Sequence, residues 1–204
     1  MRVTLALPAP LREELVGALD TSHEVAGVLS AQLIESNDEL TVLGRHITWA
    51  ADEHYLDRSA IGLRLGSAGW VPAFRRAAAA GDLALFVHTH PGGRPEFSRH
   101  DDEVDRQLVE AGRRLGADGP YGAILVSGNS ETGQVTGRLY LEEGDPVAVS
   151  RVRVCGENLE LTTPGAWEPA ADATFDRQIR LFGAEGQQLL RDLHVGVVGC
   201  GGTG

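Results

Sequence analysis

The feature that most limits what this chain can fold into is the run Leu83-Ala84-Leu85-Phe86-Val87, which passes directly into His88. Five consecutive apolar residues leave no polar face, so the segment reads as a strand covered on both sides. Its flanks carry helical signals. Trp70 to Ala80 is rich in alanine and stops at Gly81, the pattern of a helix with a glycine terminus. After a Gly-Gly-Arg-Pro loop, a second helix is expected from about Ser98 to Leu115.

The rest of the chain alternates in the same way. Val3 to Leu7 is apolar and is broken by Pro8 and Pro10; Leu11, Leu15, Val16 and Leu19 then recur at helical spacing, predicting a helix from Pro10 to about Asp20. Val25 to Ile34 and Leu40 to Trp49 read as two strands joined by the turn residues Ser36, Asn37 and Asp38. Ile61 to Leu65 alternates like a strand, Tyr121 to Ser127 and Val135 to Leu141 look like a further pair, and Val147 to Leu161 offers one or two more. Interleaved strands and helices favour an α/β layered domain. Composition shifts between Thr163 and Ala173, where prolines, a glycine and alanines suggest a linker. The expected organisation is a main domain over residues 1–163, a linker over 164–173 and a short helix-strand appendage over 174–204.

Charge and cysteine content exclude several function classes. A formal charge of −11 argues against general nucleic-acid binding, because phosphates would be repelled. Arg75-Arg76 and Arg113-Arg114 are isolated pairs, best read as solvated helix faces. Cys155 and Cys200 cannot build a disulfide framework or a cysteine-rich metal site. The N-terminal residues lack a secretory pattern, and no apolar run approaches a membrane span, so a cytoplasmic location is the default expectation.

His88-Thr89-His90 is the chemical core of the sequence. Side chains two apart on a strand share a face, so both imidazoles can address one ion. Ser98 and Asp101 open the next helix and can fold back over the strand end. Two histidines and one carboxylate leave a fourth zinc position open for water, as catalytic sites require. Zinc lowers the pKa of such a water to about 7 and polarises carbonyls. A separate carboxylate must take the proton, and Glu24 opens an early strand that could run beside the metal strand. The ordinary alternatives are a histidine facing solvent at a strand end and a Ser-x-x-Asp helix cap. A capped helix start is also a rigid place to hold a ligand, so the cap does not compete with the metal site.

Glu24, then His88-x-His90-Pro91, then the seven residues Pro91 to Phe97, then Ser98-x-x-Asp101, resembles the JAMM motif of MPN-type (JAB) metalloproteases. The resemblance covers roughly residues 1–163. It implies a three-layer α/β/α sandwich like that of cytidine deaminases. It also implies zinc-dependent cleavage after the C-terminal glycine of a ubiquitin-like or sulfur-carrier protein with a Gly-Gly tail. By the same resemblance His88, His90 and Asp101 are the zinc ligands and Glu24 the general base. Ser98 is then a donor to the water and the oxyanion. Glu13, Glu14 and Glu35 are rivals for the base; Glu24 is preferred because it precedes Val-Ala-Gly-Val-Leu. Catalytically silent scaffolds of this kind lack metal ligands, which are all present here.

Other motifs carry less. His23-Glu24 is not a two-histidine zincin helix, since Gly27 stands where the second histidine belongs. A deaminase would need a Pro-Cys-x-x-Cys pair. His46, His54, His100 and His194 lack ligand spacing and read as surface or locally bonded groups. The segments Trp49 to Arg58 and Gly92 to Phe97 are the expected rim of a substrate site. At the C-terminal end, Arg177 to Gly183 and the turn Gly199-x-Gly201-Gly202-x-Gly204 after an apolar strand resemble the opening of ThiF-type adenylyltransferases. The chain stops at Gly204, before the helix that would hold phosphate, so a piece of a longer protein and no working ATP site are expected here.

Overall fold

The computed structural model describes residues 2–36, 38–60, 62–93, 95–114, 120–141, 145–164 and Leu190. The chain divides into two compact units, Met1–Gly165 and Ala166–Gly204. The expected linker, the C-terminal helix and strand and the glycine turn lie outside the described residues, apart from Pro164 in the linker and the helical Leu190.

The first unit is a mixed α/β fold, mostly sheet. Its elements run β1 (Arg2–Pro8), α1 (Ala9–Gly17), β2 (Ala26–Ser36), β3 (Glu39–Trp49), β4 (Tyr55–Ser59), β5 (Gly62–Leu65), α2 (Val71–Ala79), β6 (Leu83–Pro91), α3 (Arg99–Arg114), β7 (Tyr121–Gly128), β8 (Gln134–Tyr140), β9 (Val147–Ala148), β10 (Arg151–Cys155) and β11 (Leu159–Thr162). Nine strands form one sheet in the order β11-β10-β1-β3-β2-β6-β7-β8-β9, and β4 with β5 makes a separate hairpin. The apolar run lies in β6, inside the sheet, antiparallel to β2 and parallel to β7.

Alternation along β6 divides the core in two. Leu83, Leu85 and Val87 join a cluster that includes Leu11, Leu15 and Val16 of α1. Phe86 joins the opposite cluster with Ala73 and Phe74 of α2 and Leu108 of α3. The continuous apolar stretch is therefore explained by one helix on one face and two on the other. Leu85 and Val87 are fully buried, and burial of side chains of this size stabilises by about 1.5–3 kcal/mol each.

The approach to β6 is fixed by its own chemistry. Gly81 adopts φ 70, the Asp82 amide donates to the Ala77 carbonyl and the Gly81 amide to that of Ala78, the paired bonds of a glycine helix stop. Asp82 is then held by the Ser30 hydroxyl at 2.5 Å and by Arg45 at 3.0 Å. Those partners, the Ser30 hydrogen bond foremost, keep its carboxyl below the usual range.

β4 was not expected as a strand; residues 49–58 carry no apolar alternation that would mark one. It is tied on instead by single bonds: the Glu24 amide donates to the Ser59 carbonyl, and the Ala26 amide donates to the Tyr55 hydroxyl. His54 departs from its surface reading, because its Nδ1 is buried without a hydrogen-bond partner. No helix among the described residues is long and apolar enough to cross a membrane.

Candidate metal centre

Strand register brings the distant site residues together. Ala26 of β2 pairs with His88 of β6, so continuing the antiparallel ladder by two residues sets Glu24 level with His90. The junction is reinforced from both sides: the Thr89 amide donates to the Val25 carbonyl, and the Val25 amide donates to the Thr89 hydroxyl at 2.9 Å. Thr89 is completely buried. Glu24 Oε1 thus comes to 3.8 Å from His90 Nε2. Glu13 and Glu35 are exposed on α1 and the far part of β2, and Glu14 accepts from Trp49 Nε1. None of these rivals reaches the histidines.

Asp101 arrives from the first turn of α3. The Ser98 amide donates to Asp101 Oδ2 at 2.5 Å, while the Asp101 amide donates to Ser98 Oγ at 3.2 Å. This reciprocal cap closes the helix start and fixes the carboxylate's direction. The cap and the ligand readings of Ser-x-x-Asp therefore coexist in one geometry. Asp101 Oδ1 lies 3.2 Å from His88 Nε2 and Oδ2 lies 3.8 Å from His90 Nε2. Ser98 itself is exposed.

His88, His90 and Asp101 each offer one ligand atom, all within 4.8 Å of one another. Two atoms each 2.0–2.1 Å from a tetrahedral zinc stand roughly 3.3 Å apart, close to the observed 3.2 Å. His88 Nε2 is buried, and its near polar neighbour is Asp101 Oδ1 at 3.2 Å, outside good hydrogen-bond geometry. A buried ring nitrogen left unmatched is costly unless something else engages it. A divalent cation between the three groups would engage that nitrogen and the Asp101 carboxylate together.

Electrostatics separates the two carboxylates. Glu24 is 6% exposed, and burial pushes its pKa up to about 7; the His88 charge opposes this and the Asp101 charge adds to it. For Asp101 burial acts upward, but His88 and the two Ser98 hydrogen bonds prevail and hold it well below the usual carboxylate range. One carboxylate is set to stay ionised beside the histidines, and the other to carry a proton near neutrality.

A cleft of about 620 Å³ opens from Glu24, His88 and Asp101. Its apolar lining comes from Leu63 and Leu65 of β5, Trp70, Phe86, and Val104 and Leu108 of α3. Among the described residues of the expected rim, only Leu56 lines this cleft; the β4–β5 hairpin, tied to the start of β2, and α3 supply most of the wall. His100, which reads from sequence as a surface or locally bonded group within reach of substrate inside the Ser-x-x-Asp segment, also lines the cleft.

Sequence reasoning missed a buried polar group beside this site. Arg138 and Asp105 are 8% and 2% exposed and paired to each other. The available signal was weak: Arg138 alternates with Thr136 and Tyr140 along β8, which by itself reads as a solvated face.

The sequence profile of prokaryotic homologs of the JAB domain matches residues 9–140, a span that contains Glu24 and the whole histidine–aspartate cluster. A UPF0758 protein from Trichlorobacter lovleyi is 41% identical over 68 residues, covering 29% of this chain and 28% of that protein. A UPF0758 protein from Bacillus mycoides is 50% identical over 46 residues, covering 22% and 19%. The matched segments thus span less than a third of these relatives' length. The solution structure of protein DSY2949 from Desulfitobacterium hafniense superposes with a TM-score of 0.47 at 17% identity, over 75% of this chain and 94% of that one.

Proposed function

Because this chain belongs to the family of prokaryotic homologs of the JAB domain, we propose that it is a zinc-dependent hydrolase. Its bond is the isopeptide or peptide bond after the C-terminal glycine of a ubiquitin-like or sulfur-carrier protein. The observation that carries the reading is the convergence of His88, His90 and Asp101 ligand atoms within 4.8 Å of one another, with Glu24 3.8 Å from His90. The fold assigned to it is the three-layer α/β/α kind, supported by α1 and the α2–α3 pair contributing to opposite clusters.

His88, His90 and Asp101 would hold the ion. When bound, zinc supplies Lewis acidity toward the scissile carbonyl and acidifies a water. Glu24 takes the proton from the attacking water and returns it to the departing amine, a role that fits its place 3.8 Å from His90. The Ser98 hydroxyl, exposed beside Asp101, donates to the carbonyl oxygen as negative charge grows there. The cleft between the hairpin and α3 receives the substrate tail in extended form, with glycines next to the bond.

The carrier class is supported by the resemblance of Arg177 to Gly183 and of Gly199 to Gly204 to the opening of a carrier-protein adenylyltransferase. The test is cleavage of a carrier ending in Gly-Gly and extended by a short peptide, followed by mass spectrometry. Cleavage after the second glycine, lost with chelator and restored by zinc, is expected. A protein holding one zinc that leaves every such carrier intact would be a silent scaffold, and the proposal would fall.

A further inference from the structure

We infer that Arg138 is a positioning residue for the metal centre: it clamps the start of α3 onto the sheet so that Asp101 faces the two histidines. The inference rests on the metal reading above and adds residues from β8 to it.

α3 has little apolar purchase. Of its described residues Leu108 is its one buried hydrophobic, with Val104 and Val109 partly buried. Yet the helix must present Asp101 to His88 within a few tenths of an ångström. One guanidinium does much of the holding. Arg138 Nη1 donates to Asp102 Oδ1 at 2.6 Å and Nε to Asp105 Oδ2 at 2.8 Å, so residues i and i+3 of α3 are gripped together. Asp105 also accepts from the Tyr121 hydroxyl at 3.1 Å, which ties the helix to β7 as well.

The same guanidinium reaches the site by a second route. Arg138 lies 3.9 Å over the Phe97 ring, and Phe97 packs edge-on against His88 with centroids 6.0 Å apart. Phe97 precedes the Ser98 cap that aims Asp101. Arg138 therefore braces both the helix carrying one ligand and the aromatic wall beside another. It touches neither the ligands nor the cleft's reacting groups, so its effect is on geometry. Lysine cannot reproduce this, since it lacks the planar fork that grips two carboxylates while stacking on a ring.

The experiment uses the full chain and reads zinc affinity by chelator competition. Cobalt(II) absorption reports coordination geometry, and thermal unfolding is followed without metal. Arg138→Lys should weaken zinc binding about 10-fold or more, the lower range for residues that orient ligands, and should alter the cobalt spectrum. Asp102→Asn removes only one arm, at a half-exposed position that folding tolerates. It should weaken zinc by roughly 3-fold or more with the metal-free unfolding midpoint nearly unchanged. Arg106→Gln removes a positive charge from the exposed face of α3 and should leave zinc affinity as it was.

If the Arg138 and Asp102 variants bind zinc as tightly as the native chain, the inference is overturned, whatever happens to their stability. It is equally overturned if Arg106→Gln weakens zinc as much as Arg138→Lys, since net charge would then be the cause. A native chain that takes up neither zinc nor cobalt would sink the metal reading along with this one.

Discussion

His88 Nε2 and Asp101 Oδ1 stand 3.2 Å apart in a buried site, at ion-pair distance. Here β6 fixes one and the Ser98 cap fixes the other, so the pair is held in the spacing of two ligands to one ion.

Removing one member should therefore cost the metal. Asp101→Ala is expected to lower zinc affinity by at least 100-fold, an extrapolation from the 10- to 100-fold typical of groups one shell further out. Activity should fall with it. The cap is lost as well, at about 1 kcal/mol of helix stability, so bound zinc should be measured at a temperature where the variant is folded. Stoichiometric zinc in the purified variant would remove Asp101 from the ligand set.

Glu24 should behave differently. It lies 3.8 Å from His90 and is assigned to proton transfer. Glu24→Gln should keep zinc yet lose about 10²–10⁴-fold in rate, with the loss in kcat and little change in KM. Near-native turnover with zinc intact would mean that another group takes the proton.

The metal-free protein should lose stability as pH rises through neutrality. Glu24 has a folded pKa of about 7 against an ordinary 4.5, so the folded state holds this proton more tightly. The resulting stabilisation is complete below pH 4.5 and is lost as pH passes 7, on the order of 3 kcal/mol at most. Asp101 acts in a separate window: its depressed pKa contributes stability above the normal carboxylate range that is lost only under stronger acid. Denaturant unfolding of native and Glu24→Gln chains at pH 5 and pH 8, both with chelator, isolates the Glu24 part. The gap between them should shift in favour of the variant at the higher pH; a gap independent of pH would show that Glu24 titrates normally.

Thr89 lies between the two histidines, and its hydroxyl accepts the Val25 amide. Thr89→Val preserves shape but strands that amide, at a cost of about 1–3 kcal/mol. Thr89→Ser should restore most of it. Because Val25 adjoins Glu24, the valine variant should also lose kcat while binding zinc normally. Unchanged unfolding of Thr89→Val would mean that water satisfies the amide.

Local pattern alone located most elements, because helix and strand periods are written in neighbouring residues. The apolar run ending at His88 placed β6, Gly81 placed the helix stop, and the period of two put both imidazoles on one side. The Ser98–Asp101 cap was also legible, since its bonds span three residues. Only the tertiary structure shows that Glu24, rather than Glu13, Glu14 or Glu35, lies beside the histidines, through the antiparallel register that sets Ala26 against His88. It likewise raised β4 and β5 into a cleft wall and buried Arg138, whose strand pattern suggests a solvated face until α3 lies across it. These features depend on which strands adjoin and in what register. That is settled by contacts between residues tens of positions apart, and no local period records it.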